Sequence, residues 1–476
     1  MVYDVVVVGS GAIGGSIAFE LASRGLSVCR VGETARRNAA SRAAGAMNGC
    51  FGEVTRTLLS SEPGRLKLVM DIQAKSLWAD WEERLATASS NNKGLLAACG
   101  THVILNSAGM AEVDSANYAA IEQSLRDFQV LHTSVAPDEL EWIKANDLVR
   151  PMRALFIPDE NAIDPHLLLE KLDTALLGTG GTIIDATARK ILVEGAVATG
   201  VMLDDGRSIA GKHVVVAAGV QSLDLFDELE DVGRKIPPLF AGYGVSLLLR
   251  PKAGQKLPET VIRTPNRAFA CGLHCLPRGD DLLYLGATNI LAEQPRSQAL
   301  VSDVQFLLDC AVDQLNLDLH DAEIVDIQVG NRPIAADGFP LIGPCGYDGL
   351  WMVTGTYRDG LHQSPLLAAW VADQIEGRDN KLDLSAFTPL RAPLQVASRA
   401  DTLTETVRQM FATGYEYRWD IKPYWMPLLD RGMNENYTRL VEALHPSFTP
   451  PPELIAFSWL YPSMFQRLAR YYEAWS

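Results

Sequence analysis

Residues 5–15 read Val-Val-Val-Val-Gly-Ser-Gly-Ala-Ile-Gly-Gly. A run of β-branched residues meets Gly9, Gly11 and Gly14, and an apolar helical pattern follows at Ile13, Ile17, Ala18 and Leu21. The order is strand, tight turn, helix, which is the context that a dinucleotide-binding glycine turn requires. Gly9 permits the sharp turn, Gly11 lets a pyrophosphate approach the backbone, and Gly14 lets the helix pack close to the strand. Ala12 and Ile13 open the helix, whose free N–H groups and partial positive charge suit phosphate. A second strand at 26–31 completes a βαβ unit. The acidic residue that usually ends this strand and binds a ribose is shifted: Gly32 holds its place and Glu33 follows. Glu33 reaching the ribose through a shifted turn is favoured over backbone groups doing that work.

The 476 residues are 47% hydrophobic and 21% charged, ordinary for a soluble globular protein, and the length suggests two or three domains. The formal net charge of −16 repels phosphate backbones, so nucleic acid is not expected as a partner. An anionic substrate would need a local basic pocket. The seven cysteines are scattered, and Cys271 and Cys275 have no matching pair or histidine cluster nearby. That pattern fits a reducing compartment better than a disulfide framework or a zinc site, and no metal is expected. The chain enters its first strand at once and has no apolar run of the roughly 18 residues that a spanning helix needs. A cytoplasmic protein without a membrane span is expected.

Helices are predicted at 65–88, near 117–130, at 138–146, and at 162–176 with Asp164 as N-cap and Pro165 in the first turn. Short strands are predicted at 182–184, 190–194, 197–203 and 213–217, with a hairpin turn at Asp204-Asp205-Gly206. Further strands are expected at 243–249, 268–276 and 282–288. Strands and helices that alternate after a βαβ start imply a doubly wound α/β sheet with a second, β-rich domain inserted.

Four separated segments carry a resemblance to the glycine oxidase and D-amino acid oxidase family of FAD enzymes. They are the glycine turn at 9–15; Ala40-Ser41-Arg42-Ala43-Ala44-Gly45-Ala46-Met47; Val214-Val215-Val216-Ala217-Ala218-Gly219; and a long stretch. The last runs from Gly330-Asn331-Arg332-Pro333 through 337–344 to Gly355-Thr356-Tyr357-Arg358-Asp359-Gly360-Leu361 and sits closest to the glycine oxidase pattern. The resemblance covers residues 1 to about 391. It implies a Rossmann-like, glutathione-reductase-like FAD-binding domain from 1–85, 150–230 and 325–391, interleaved with a β-rich substrate domain from 86–149 and 231–324. It also implies flavin contacts from Ser41, Arg42, Ala43, Ala44, Gly45, Met47, Ala188, Ala218, Gly219, Gly330, Gly355, Asp359, Gly360 and Leu361. Relatives with covalent flavin carry a cysteine just before the segment that here reads Gly330-Asn331-Arg332, and this chain has none. The FAD is therefore expected to be non-covalent. Two departures stand out: Thr356 replaces the family's histidine, and His362 stands where an aliphatic residue is usual.

Flavin oxidation of an amine needs a neutral amine, alignment and a dry pocket, so no catalytic dyad is required. A substrate carboxylate still has to be held, and the planar fork of arginine suits it. Arg332 is the family-matched candidate, against the alternative of a salt bridge within the fold. Arg358 is a second candidate, or a brace for the flavin loop. A helix beginning near Leu361 would aim its N-terminus at the flavin, with His362 in its first turn as a hydrogen-bond partner, a local charge or a packing residue. Tyr243 and Tyr357 are candidate pocket walls.

The expected activity is oxidation of a small carboxylated amine or amino acid to an imine and then an oxo acid, with O2 reduced to H2O2. The alternatives are a flavin dehydrogenase serving a quinone or partner protein, and a non-catalytic FAD scaffold. A nicotinamide enzyme explains the glycine turn but not the later segments. Residues 392–476 hold 15 of the 36 aromatic residues, far above an even share. Helices are predicted there at 401–412, 433–444 and 452–474. An aromatic-rich helical extension of this kind is expected to pack on the core, with homo-oligomer contact or a substrate-shaping lid as alternatives.

Overall fold

The computed structural model describes every residue except Phe269 and Asp280; the side chains of Ala270 and Cys271 also lie outside the described set, so the spacing of Cys271 from Cys275 gains no structural reading. The first strand, β1 (Val2–Val8), lies inside an eight-stranded sheet. It pairs in parallel with β2 (Val28–Val31) on one side and with Ser208–Val216 on the other. Val5 to Val8 are buried on both faces, as a central parallel strand requires. Thr182–Ile184 extends the sheet beyond β2, and Leu350–Thr354 then Leu341–Pro344 extend it beyond Ser208–Val216. The chain thus leaves β1 in both directions, and the carboxyl end of β1 is the switch point where open α/β sheets bind ligands. Helix α1 (Ala12–Ser23) packs with Glu62–Ser89, Pro165–Gly178 and Ser364–Ile375 on one face. The antiparallel strands Ala188–Glu194 and Val197–Leu203 contribute to the core of the other.

A second, ten-stranded sheet holds Leu96–Asn106, Pro151–Ile163, and five strands between Leu239 and Ala292, with Glu323–Ala335 paired along Leu239–Arg250. Pro151–Ile163 pairs antiparallel with Leu96–Asn106. The stretch 150–163 therefore belongs to the second sheet, not to the nucleotide-binding half as expected, because its backbone bonds are made there. The same holds for 325–335.

Asp164 caps its helix as expected, accepting from the N–H groups of His166 and Leu167. The helix expected at 138–146 does not form. Only a single turn, Pro137–Glu139, is helical. The rest is held from outside: Lys144 N donates to Leu315 O (2.8 Å), Leu317 N to Lys144 O (2.9 Å), and Asn316 Nδ2 to Trp142 O (2.6 Å). Tertiary backbone pairing overrides local propensity there.

The last 85 residues form four helices, Arg399–Glu416, Met426–Leu444, Pro452–Leu460 and Pro462–Glu473. The single helix expected at 452–474 is broken at Pro462, which lacks an N–H to continue it. Leu454, Met464, Leu468, Tyr471 and Tyr472 are buried against Phe240, Leu291 and Ile334 of the second sheet. Tyr471 Oη donates to Arg391 O (2.9 Å) and Arg467 Nη2 to Leu239 O (2.7 Å). Among the described residues, no helix is long and apolar enough to cross a membrane.

Candidate active site

Between the sheets runs a cavity of about 720 Å³. At one end it is lined by Gly9, Gly11, Ala12 and Ile13 of the first turn, Glu33 after β2, and Ala188, Ala218 and Gly219. The turn is main chain throughout. Gly9 has φ +131°, and a Cβ there would meet Ala217 O at 2.2 Å. A Cβ on Gly14 would meet Gly9 O at 2.2 Å. Gly14 thus works by letting helix meet turn and does not itself line the cavity. Ser41 Oγ accepts from Ala12 N (3.0 Å), and Arg36 Nε donates to Ser10 O (2.6 Å), so two side chains of the cavity wall brace the turn. No acidic residue occupies the first turn of α1. The unobstructed backbone and the uncompensated helix start suit a diphosphate.

The middle of the cavity is lined by Ser41, Ala43, Ala44, Gly45 and Met47. Small residues matter here: a Cβ on Gly330 would come 3.0 Å from Ala43 Cβ, and one on Gly45 would come 3.0 Å from Tyr284. Arg42 is turned away and donates to Ala35 O (2.8 Å). Gly355, at φ +70°, shapes the loop from behind. Asp359, Gly360, Leu361 and His362 close this stretch. The helix after them starts at Ser364, three residues later than expected, because turns occupy 360–363.

The far end is built from side chains. Arg332 reaches in from Glu323–Ala335, and its Nη1 donates to Thr288 O (3.2 Å) and Asn289 Oδ1 (3.3 Å). Both acceptors are neutral, and Arg332 forms no ion pair among the described residues, so the salt-bridge alternative is not what the fold does with it. Gly244 on the paired strand makes room: a Cβ there would meet Arg332 Nη1 at 2.3 Å. Arg358 stacks 4.6 Å from the Tyr357 ring and donates to Tyr357 Oη (3.0 Å) and Arg267 O (3.1 Å). Tyr357 is itself held at φ +57°. Tyr243 lies elsewhere. Its ring is in the core of the second sheet, and its hydroxyl donates to Gln298 O (3.3 Å) and accepts from Leu300 N (3.0 Å). The alternation along Leu239–Arg250 turns it to the face away from the cavity, so it is no pocket wall.

His362 is buried, with Nε2 2.7 Å from Asp71 O. That carbonyl can only accept, so Nε2 carries the proton and Nδ1 is left as an acceptor with no protein partner among the described residues. Burial pushes its pKa down, which removes the reading as a local positive charge.

Two cavity residues escape a reading by motif. His274 is buried, and burial pushes its pKa down to about 4. Its Nδ1 lies 3.0 Å from Gly272 O, so Nε2 is an acceptor, packed between Gly45 and Gly286. Burial works to raise Glu53, but Arg263 at 2.5 Å and Asn266 hold it well below the carboxylate range. The alternating strand Ala270–Arg278 was a legible signal for His274; nothing local marks Glu53.

The architecture is that of a two-sheet flavoprotein with its cofactor groove at the first crossover. Residues 4–374 match the family described as DAO, FAD dependent oxidoreductase, and the chain belongs to that family. Its cofactor is FAD. A glycine oxidase of Geobacillus kaustophilus (strain HTA426) is 27% identical over 407 residues, covering 82% of this chain and 97% of the relative. The crystal structure of glycine oxidase from Geobacillus kaustophilus superposes with a TM-score of 0.69 at 23% identity, over 82% of this chain and 98% of that one. Iminodiacetate oxidase (IdaA) from Chelativorans sp. BNC1 superposes at 0.68 and 18% identity, over 82% of this chain and 100% of that one. At such identities the superpositions establish the fold. The family match ends before the extension begins.

Proposed function

We propose that this chain oxidises a small carboxylated amine or amino acid, with O2 as the terminal acceptor. The diphosphate of FAD would lie on the Gly9–Ile13 turn, its ribose near Glu33, and its ring between Ala43–Met47 and Asp359–His362. Bound there, FAD supplies a two-electron acceptor for the hydride of the substrate Cα–H. Arg332 holds the substrate carboxylate through its guanidinium, whose protein partners are both neutral and leave its charge uncompensated. Arg358 and Tyr357 bound the same space. His274 and His362, both neutral, offer acceptors that can hold amine N–H groups or ring N–H groups without adding charge. The apolar and glycine-lined middle keeps water away from the reacting carbon. The imine formed leaves the pocket to meet water, giving an oxo acid and ammonia or an amine. On this reading the first sheet carries the cofactor and the second carries the substrate.

The observation that carries the proposal is an arginine without a carboxylate partner, at the end of the cavity opposite the glycine turn. Relatives named for glycine and for iminodiacetate point to carboxylated amines as the class. The test is anaerobic mixing of the yellow holoprotein with a panel of amines and amino acids. Bleaching of the flavin bands by carboxylated amines, and H2O2 on readmitting air, is expected. Bleaching without peroxide would assign a dehydrogenase. No bleaching by any carboxylated amine would overturn the proposal.

A further inference from the structure

The extension lies outside the family match, yet a line of its contacts leads to Arg332. Helix Arg399–Glu416 meets the core at 267–268 in two ways. Glu416 forms an ion pair with Arg267, whose other carboxylate partner is Asp114 of the core (2.6 Å). Arg267, Asp114 and Glu416 are all buried. Gln409 Oε1 accepts from Ala268 N (2.9 Å), and Gln409 Nε2 donates to Glu405 (2.8 Å), which fixes the direction of the amide. A buried guanidinium clamped between two carboxylates is costly to part from either. The backbone at 267–268 is therefore set jointly by core and extension.

From that backbone the hydrogen bonds run on into the site. Arg358 Nη2 donates to Arg267 O (3.1 Å) and to Tyr357 Oη (3.0 Å). Asn289, which is buried, donates through Nδ2 to the same Oη. Asn289 Oδ1 accepts from Arg332 Nη1 (3.3 Å). Arginines only donate, so the groups between the two of them have one consistent arrangement: the amide turns Oδ1 to Arg332 and Nδ2 to the phenol. Tyr357 is held by its body as well. It packs against the apolar cluster in which Leu454, Met464 and Tyr471 of the extension meet Leu291 and Ile334. Polar and apolar contacts from the extension thus converge on one side chain.

Arg332 depends on such support. Its guanidinium is oriented by two neutral acceptors, Thr288 O and Asn289 Oδ1, both on Nη1. A two-point grip on a carboxylate needs the planar fork held in one orientation. We propose that Asn289 and Tyr357 are positioning residues for Arg332, and that the extension fixes them through Arg267 and Arg358. The extension is then a working part of the carboxylate site without touching substrate. This rests on the reading of Arg332 as the holder of the carboxylate.

The test uses full-length holoprotein and two ligands of similar shape, glycolate and the neutral glycolamide. Binding of each is followed through the flavin absorption bands, with FAD content and thermal unfolding measured alongside. The readout is the ratio of the two dissociation constants, because a loosened fold weakens both ligands alike. The parent should prefer glycolate. Asn289→Asp, which sets a carboxylate against Arg332, should abolish that preference. Tyr357→Phe keeps the ring and should cut the preference about 3- to 10-fold, as expected for one hydrogen bond, and Glu416→Gln and Gln409→Met should each cut it about 3-fold. A preference unchanged in Tyr357→Phe, or in both extension variants, would overturn the proposal. A preference kept in Arg332→Ala would sink the carboxylate reading and the proposal with it. Loss in Arg332→Ala alone would leave that reading standing and remove the positioning role.

Discussion

The two ends of the main cavity are made of different material. The Gly9 end is backbone: three glycines, a helix start and small residues, set by a strand and helix adjacent in the chain. The Arg332 end is side chain: Glu53, His274, Asn289, Arg332 and Arg358 arrive from distant segments and meet only because the second sheet brings them together. A backbone site tolerates no added atom, whereas a side-chain site can be retuned by substitution. One end therefore defines the cofactor class, and the other leaves room for the substrate to vary.

The sharpest way to break this contrast is to add a Cβ at the backbone end. Gly14→Val places an atom 2.2 Å from Gly9 O, so the helix must move off the turn. We expect loss of bound FAD and destabilisation of more than about 3 kcal/mol, since the clash is with backbone. Absorbance of the purified protein and its unfolding curve check both. A yellow Gly14→Val protein of unaltered stability would break the comparison.

At the other end the effect should be confined to substrate. Arg332→Ala should raise KM for carboxylated amines about 10- to 100-fold, as expected for one charge-assisted contact, while FAD content holds. Steady-state kinetics with flavin quantitation decides it. A KM equal to that of the parent would remove Arg332 from the carboxylate role.

The pH response is smaller. An unfolded chain binds a proton at His274 near pH 6.5, whereas the folded one does so near 4. Between those values the unfolded state holds more protons, so this group makes stability rise with pH across that window and adds nothing above it. Urea unfolding from pH 4.5 to 7 should show a shallower rise in His274→Gln than in the parent. Equal slopes would mean that the imidazole titrates normally.

The smallest effect concerns the seam with the extension. Tyr471→Phe removes the bond to Arg391 O and should cost about 1 kcal/mol with little change in activity. Thermal unfolding and a standard assay measure it.

The same contrast explains what was legible in the chain. The glycine turn, β1, α1 and β2 could be read because each residue type has a local conformational reason to be there. Arg332 and Arg358 could be read because they sit in a long motif. Strand alternation marks His274 only as one face of a strand and nothing local marks Glu53, since what makes them candidates is the cavity that the second sheet forms around them. Tyr243 misled for a related reason: its face depends on strand alternation and pairing, and one position decides between cavity and core. The 138–146 segment misled because its backbone partners, near Leu315 and Leu317, are far away in sequence.

The central claim is that one cavity holds FAD on the Gly9 turn and a carboxylate on Arg332. The most direct test titrates the holoprotein with a carboxylate that cannot be oxidised, such as acetate or glycolate, and follows the flavin absorption bands. Saturable perturbation in the parent, and its loss in Arg332→Ala with FAD still bound, is the result this account requires. The same dissociation constant in both proteins would contradict it.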